Sequence, residues 1–400
     1  MTDFDVIVVG AGPAGSVAAR YAALGGARVL LLDKRDELGV PVQCGELLPS
    51  VGTLNEMFPA AQGLEGLFEI PGSCISLPVS RISIYSPARR EYDFRFEALS
   101  LWRARFDRHL ANLAAQTGVE VQTGVKVRAL LLHGEEEVPL DSHSTPDSMH
   151  SPAAAFHPSP PSSLNDSTGP VVGETAIGVE TEEGTITGSY IIGADGPLSR
   201  IRRSLGIPAP QLHSCVQYTI PGDYGDAVEL YFPDMLPGGH IWLVPRSNGA
   251  NIGLETRARR PLRGTLDQFV WELGISDKPK IETGGVLPVS GPVERTVGGN
   301  VLLCGDAAGQ VLAFNGWGMA TAMICGRAAD ETAAAALSGR ADLSAYEARW
   351  RLEVGAQLAS SVWVRRQMDR LAMSGLTMEL AFAFLRRRGI WRILGGKKHV

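Results

Sequence analysis

The chain reads FDVIVVGAGPAGSVAARYAAL from residue 4, an apolar strand running straight into a glycine-spaced turn and an alanine-rich helix. A second apolar strand, Val29 to Asp33, follows, so the first 33 residues form a βαβ unit with Gly10, Gly12 and Gly15 in GxGxxG spacing. The three glycines do different things. Gly10 permits the tight turn, Gly12 lets a pyrophosphate approach the backbone, and Gly15 lets helix meet sheet. The helix begins at Ala14, with its N-terminus facing the phosphates, and Asp33 stands where an acid accepts hydrogen bonds from a ribose. This strand, turn, helix and acid together predict a dinucleotide site.

Beyond that unit the chain changes style. Asp107 to Gln116 reads as a helix that Arg103 opens, and Val119 to Leu132 as strand followed by strand. Ser214–Ile220, Ala227–Phe232, His240–Pro245 and Asn251–Glu255 are strand candidates separated by Gly, Pro and Asn, a block of antiparallel character. Val301–Cys304 then leads through a glycine-rich turn to a long helix over Gly318–Leu337. The expected class is α/β, an α+β two-lobed chain: a Rossmann-like lobe over 1–75, 96–205 and 285–345 is interrupted by an antiparallel-sheet substrate lobe over 76–95 and 206–284, and 346–400 is helical.

Composition narrows the partners. Net charge −6 gives no domain-wide basic surface and excludes nucleic acid as the expected ligand. Five cysteines, Cys44, Cys74, Cys215, Cys304 and Cys325, form neither a disulfide framework nor a metal pattern, which fits a reducing cytoplasm. The opening strand has no basic leader before it, and no apolar run reaches the roughly 20 residues that span a bilayer, so the expectation is a cytoplasmic protein, free or peripheral on the cytoplasmic membrane face. Residues 135–170, rich in Ser and Pro, read as a disordered loop, and the spacing of His133, His143, His150 and His157 suits no metal site. Leu385 to Val400 carries six Lys/Arg and no acid beside Trp391, Ile393 and Leu394, which suits either an anionic membrane surface or a packed helix with a basic face.

Three later segments, Arg103-Ala104-Arg105, Gly193-Ala194-Asp195-Gly196-Pro197 and Gly305-Asp306-Ala307-Ala308-Gly309, follow the first glycine turn in order. With them the chain resembles the flavoprotein group that includes p-hydroxybenzoate hydroxylase. The resemblance implies FAD, with Asp306 at ribityl and pyrophosphate oxygens, Arg103 against the pyrophosphate and Val127 near the adenine. It also brings Ala14, Lys34, Asp195, Gly305, Gly318 and Met319 to the cofactor. Within that group, DKRDELGVPVQCGE (Asp33 to Glu46) and GGHIWLVP (Gly238 to Pro245) are similar to the geranylgeranyl reductase family, especially the archaeal enzymes that saturate digeranylgeranylglycerophospholipids. Similarity covers most of residues 1 to 350 outside the Ser/Pro loop. It implies an isoprenoid lipid substrate, an electron donor that is NAD(P)H or a protein such as ferredoxin, and Cys44, Gly45 and Leu47 beside the flavin.

Saturation of an isolated alkene needs a hydride and a proton. Cys44 is a candidate for the acid or for a gate shaping the site, against the plain alternative of a small packed residue, and Glu46 is the other candidate for the proton. Trp242 is the preferred substrate residue, with His240, Tyr231 and Trp317 as further candidates. His240 and Val244 stand where the family carries aromatics, and Asn315-Gly316-Trp317-Gly318 where it carries glycines. Two other classes remain at this point: an FAD-dependent aromatic hydroxylase, and a non-catalytic flavin or lipid carrier. A halogenase fits less well, because His240 occupies the first Trp of its WxWxIP segment.

Overall fold

The computed structural model describes residues 2–132, 175–257, 261–275, 279, 281–372 and 374–394. The Ser/Pro segment 135–170 and its histidines lie outside these. The chain enters through β1 (Phe4–Val9), α1 (Pro13–Leu24) and β2 (Val29–Leu32), then passes β3 (Leu47–Pro49), α2 (Val51–Met57) and α3 (Leu64–Leu67) to a long hairpin, β4 (Ile75–Tyr85) and β5 (Glu91–Leu101). It returns by α4 (Arg103–Gln116), β6 (Glu120–Gln122), β7 (Val127–Leu132), β8 (Ala176–Thr181), β9 (Thr185–Gly193) and α5 (Arg200–Ser204). A second excursion runs β10 (Leu212–Pro221), β11 (Ala227–Tyr231), β12 (His240–Arg246), β13 (Gly249–Thr256), α6 (Leu262–Glu272) and β14 (Ile281–Pro288). The chain closes with β15 (Val297–Gly298), β16 (Val301–Leu303), α7 (Met319–Leu337), α8 (Ala345–Trp350), α9 (Ala356–Leu371) and α10 (Gly375–Leu394).

These strands make two sheets. The first has the order β15-β16-β9-β1-β2-β6, with β1, β2, β6, β9 and β16 parallel and a β7–β8 hairpin folded onto β9. The second has the order β14-β10-β13-β12-β11-β4-β5-β3 and is antiparallel except where β11 meets β4. Parallel strands buried on both faces explain the unbroken apolar runs VIVV and VLLL, and half-covered antiparallel strands explain the broken alternation of the second sheet.

The differences from the sequence reading are local. Pro13 rather than Ala14 opens α1, since proline suits a first helical position, whereas α4 opens at Arg103 as the sequence suggested. The hairpin β4–β5 and strand β14 lack an apolar run strong enough to mark them in the sequence, because charged and glycine residues such as Arg81, Arg95 and Gly284 interrupt them. Both β3 and the end of β5 pair within the second sheet, so the chain crosses between lobes on either side of residue 75.

Helix α7 packs along α1 beneath the first sheet, close enough that a Cβ on Gly326 would stand 2.3 Å from the Ala14 carbonyl oxygen. Deep on α7, Asp330 is 0% exposed and neither carboxyl oxygen has a hydrogen-bond partner. Burial, with Glu331 adding to it, holds this carboxyl well above its ordinary 3.8. The folded state therefore keeps a proton that the unfolded chain releases, so its stability contribution is complete below 3.8 and declines as pH rises toward the raised folded value. Replacing Asp330 by Asn removes that slope. Urea unfolding across pH should show the variant matching the parent in acid and exceeding it at neutral pH, the gap widening by up to about 1.4 kcal/mol per pH unit.

Candidate functional site

The glycine turn lies at the C-terminal end of β1, where an open α/β sheet leaves a crevice. Gly10, at φ +102, passes so near β9 that a Cβ would fall 2.4 Å from the Ala194 oxygen, and a Cβ on Gly15 would fall 1.8 Å from the Gly10 oxygen. Gly12 is different, because a Cβ there would meet no protein atom within 4 Å. Space beside the turn is thus open, and α1 starts there at N-cap Gly12 with no side chain capping its first N–H groups. Asp33 is fixed at the rim: its Oδ2 accepts the Ala11 N–H at 2.8 Å and its Oδ1 the Arg35 N–H at 2.9 Å. Lys34 beside it is exposed, while Val127 is buried in a core that includes Val9 and Leu32.

Two more turns close on this one. Asp195 Oδ2 accepts the Arg200 and Ile201 N–H groups, whereas its Oδ1 is buried without a partner. Arg202 ties that turn to the next, donating to the Pro197 and Ala307 carbonyls. Gly305, at φ +64, sits against Ala14, where a Cβ would approach the Ala14 Cβ to 2.9 Å. Asp306 follows it in a short 3-10 turn near Gly318, the residue before Met319 opens α7, and no side chain caps that helix either. Burial raises the Asp306 carboxyl and Arg103 works against it. Gly10, Gly12, Ala14, Gly15, Asp33, Asp195, Gly305, Asp306 and Gly318 are therefore linked by close contacts where the glycine turns meet, beside the uncapped N-termini of α1 and α7.

The PVQCGE loop crosses from this crevice to the second sheet. Gln217 and Thr283 both donate to the Val42 carbonyl, Gln43 donates to the Gly284 carbonyl, and Asn251 donates to the Cys44 carbonyl at 3.2 Å. Gly45 lies against Trp242, whose indole Nε1 would be 3.5 Å from a Cβ at that position and donates instead to Asn251 at 2.9 Å. The thiol of Cys44 accepts the Glu46 N–H at 3.2 Å and faces Arg103. Burial pushes that thiol up and Arg103 only partly offsets it, so Cys44 stays protonated near neutrality.

Glu46 is 1% exposed and adopts φ +64. Its Oε1 accepts the Arg103 N–H at 3.2 Å, and its Oε2 pairs with Arg246 Nη1 at 3.2 Å. The Arg246 guanidinium lies over the Trp102 ring, 4.5 Å from its centroid. Burial raises the Glu46 carboxyl, with Arg246 the main opposing charge. Arg103 itself chelates Asp107 at 2.7 and 3.2 Å. Leu47, next along, turns its side chain into the second lobe's core, leaving only backbone for the crevice.

Strand pleating sorts the remaining candidates. His240, Trp242 and Val244 alternate onto one face of β12, the face whose core includes Phe232 and Phe314. Trp317 joins them from the first lobe, stacked on Phe96 at 5.1 Å and touching both cores. Tyr231 does not belong to this group: it stacks on Tyr85 at 4.5 Å and meets Phe269 of α6, on the opposite face. The same alternation turns Ile241 and Leu243 away. Beside His240 a cleft of about 130 Å³ opens between the second sheet and α9–α10, walled by Phe232, Phe314, Met368 and Met378. His240 Nδ1 contacts Glu255 at 3.0 Å, and Glu255 also meets His213 at 2.5 Å and Arg365 at 2.6 Å. Burial alone would raise the Glu255 carboxyl, but Arg365 and the two histidines hold it well below its usual range.

Sequence reasoning missed Arg246, Asn251, Trp102 and the Glu255–Arg365 pair. For Arg246, Asn251 and Glu255 the available signal was a polar residue inside an apolar strand, as in LVPR and NIGLE, which marks a side chain satisfied by another element.

A family profile described as an NAD(P)-binding Rossmann-like domain matches residues 8–51. The chain is 35% identical over 375 residues to "Digeranylgeranylglycerophospholipid reductase 1" of Methanopyrus kandleri, covering 88% of this chain and 87% of that protein. It shares its fold with a geranylgeranyl bacteriochlorophyll reductase-like protein from Thermoplasma acidophilum, at TM-score 0.72 and 24% identity over 98% of this chain and 99% of that one. It shares it also with pqsL, a probable FAD-dependent monooxygenase from Pseudomonas aeruginosa, at TM-score 0.65 and 16% identity over 95% and 99% of the respective chains.

Removing Arg246 leaves Glu46 as a buried charge with one cation fewer. Arg246→Ala should cost about 3 kcal/mol or more in urea unfolding at neutral pH, and the double variant Glu46→Gln/Arg246→Ala should recover part of that loss. Simple additivity of the two changes would refute the pairing.

Proposed function

The chain belongs to the digeranylgeranylglycerophospholipid reductase family, and from that premise we infer that it saturates the double bonds of geranylgeranyl chains carried on a glycerophospholipid, using FAD. It is an oxidoreductase acting on carbon–carbon double bonds. The observation that carries the cofactor assignment is the crevice: an open turn at Gly12, two uncapped helix N-termini, and a buried, unpartnered Asp195 Oδ1 suit a dinucleotide. In this reading Gly10, Gly12, Ala14 and Gly15 border the pyrophosphate and Asp33 the adenosine ribose, with Lys34 and Val127 at the adenine end. Arg103 and Asp306 take the pyrophosphate and ribityl side, with Asp195 and Gly305. Cys44, Gly45, the Leu47 backbone, Gly318 and Met319 border the ring. Once reduced, the flavin supplies the hydride.

The chain's own residues supply the rest. The proton that completes each saturation, two hydrogens per double bond, is assigned to the Cys44 thiol, which burial keeps protonated. Cys44 is the more accessible of the two candidates, while the almost fully buried Glu46 acts through it as a positioning residue, its N–H on the Cys44 Sγ. Trp242, His240 and Trp317 form the apolar wall for the isoprenoid. A chain of roughly 20 carbons represents about 16 kcal/mol of transfer free energy, so it moves between apolar surroundings and not through water. We therefore place the protein on the cytoplasmic face of a membrane, with NAD(P)H or a ferredoxin as the electron source. No helix among the described residues is long and apolar enough to cross a membrane.

The aromatic hydroxylase reading has only fold-level likeness behind it. Anaerobic mixing of the reduced flavoprotein with a geranylgeranyl phospholipid, followed by absorbance and lipid mass, separates the readings. Flavin reoxidation with a gain of two hydrogens per bond is expected, and Cys44→Ser and Cys44→Ala should slow it roughly a hundredfold. Reoxidation only by oxygen with an aromatic substrate would replace the reductase by the hydroxylase, and bound lipid without any turnover would indicate a carrier. For the cofactor, Gly12→Val should leave the folded protein's melting temperature without FAD nearly unchanged while weakening FAD binding tenfold or more, because the new side chain occupies ligand space and no protein atom.

A further inference from the structure

Helix α10 is apolar on two sides. Its inward side places Met378, Phe382 and Ile390 in the second lobe's core, with Phe382 against Tyr92 and Phe232. Its outward side carries Leu376, Leu380 and Phe384, which are 71%, 61% and 83% exposed. Their spacing of four residues keeps them in one stripe, about 12 Å long at 1.5 Å per residue. Packing does not require this stripe, since the opposite face already anchors the helix.

Charge says what covers it. The single acid of α10, Glu379, is held away by the Ala88 N–H and Arg90. Two residues after Phe384 the backbone kinks at Arg386, and Arg386 and Arg388 are exposed with no ion-pair partner among the described residues. Arg387 turns inward onto Phe94 and the Asp93 carbonyl. Six Lys/Arg and no acid occupy residues 385–400 of a chain whose net charge is −6. An apolar stripe beside unpaired cations matches a surface that is apolar and anionic together, which is an anionic bilayer. Gly375 and Met378 of the same helix line the cleft beside His240.

We propose that the outward stripe of α10, Leu376, Leu380 and Phe384, together with the exposed Arg386 and Arg388 at and beyond its kink, is the surface by which the protein docks on anionic lipid bilayers. The consequence for substrate delivery, that the cleft is brought to the lipid surface, rests on the reductase reading; the docking itself does not.

Co-sedimentation of the full-length holoenzyme with phosphatidylcholine–phosphatidylglycerol vesicles, and with phosphatidylcholine vesicles, tests the docking. Binding is expected on the mixed vesicles, weakened by added salt. Leu376→Gln/Leu380→Gln/Phe384→Gln should reduce it tenfold or more while keeping the parent's circular dichroism, since all three positions are exposed. Arg386→Gln/Arg388→Gln should abolish the preference for the anionic vesicles. Equal binding by the triple variant, or no binding by the parent, overturns the proposal. So does a parent that sediments as a dimer which the triple variant dissolves, because the stripe is then covered by a second copy. Flavin reoxidation separates this from the reductase assignment. Triple-variant turnover that is lost on vesicle-borne lipid and kept on detergent-dispersed lipid supports both. Intact co-sedimentation with no turnover on either lipid supports docking and removes the reductase.

Discussion

The buried Glu46 carboxylate joins the two lobes. One oxygen receives the first N–H of α4 from the first lobe, the other faces Arg246 at the end of β12 in the second, and its backbone N–H holds the Cys44 thiol. A charge at 1% exposure is tolerated only with such partners. The positive φ of Glu46 turns the chain so that Cys44 and Gly45 lie between Arg103 and Trp242. Loop conformation, thiol environment and the relation of the lobes therefore depend on one side chain.

Around that junction the molecule keeps polar and apolar work apart. The glycine turns of the first lobe present backbone N–H groups, small residues and carboxylates, groups able to hydrogen-bond phosphates and hydroxyls. The second lobe presents Trp242, His240, Phe232 and Phe314, a largely apolar aromatic surface. Cys44 stands at the boundary. For the proposed proton transfer, a thiol that burial holds in its neutral form suits such a place better than a carboxylate, whose charged form would have to be desolvated beside an apolar substrate.

The buried group of Glu255, His213, His240 and Arg365 plays the corresponding role on the far side of the cleft. Arg365 belongs to α9, and through it the C-terminal helices are locked to β10, β12 and β13. His240 is thereby held with its Nδ1 on Glu255 and its ring 6.0 Å from Trp242. The cleft wall is thus rigid on the sheet side, while α10 closes the other side and turns its second apolar face outward.

By itself the sequence determined the βαβ unit that opens the first lobe. GAGPAG between strand and helix, Asp33 after the second strand, and the later DG and GD turns have local causes: positive φ, close backbone approach, and helix ends without caps are written into neighbouring residues. The class of reaction was legible only through the resemblance to the geranylgeranyl reductase family that PVQCGE and GGHIWLVP carry. The tertiary structure alone decided which side of β11 and β12 faces the site. Pleating fixes that Trp242 and Tyr231 lie on opposite faces, but the side that meets the crevice follows from how the second sheet is pinned by Glu46 and Arg246. It decided likewise that Arg246, Asn251 and Arg365 matter, since each satisfies a partner distant in sequence: Asn251 and Cys44 are 207 positions apart, Arg365 and Glu255 110. Such pairings arise only when the chain brings its lobes together, and no local pattern encodes them.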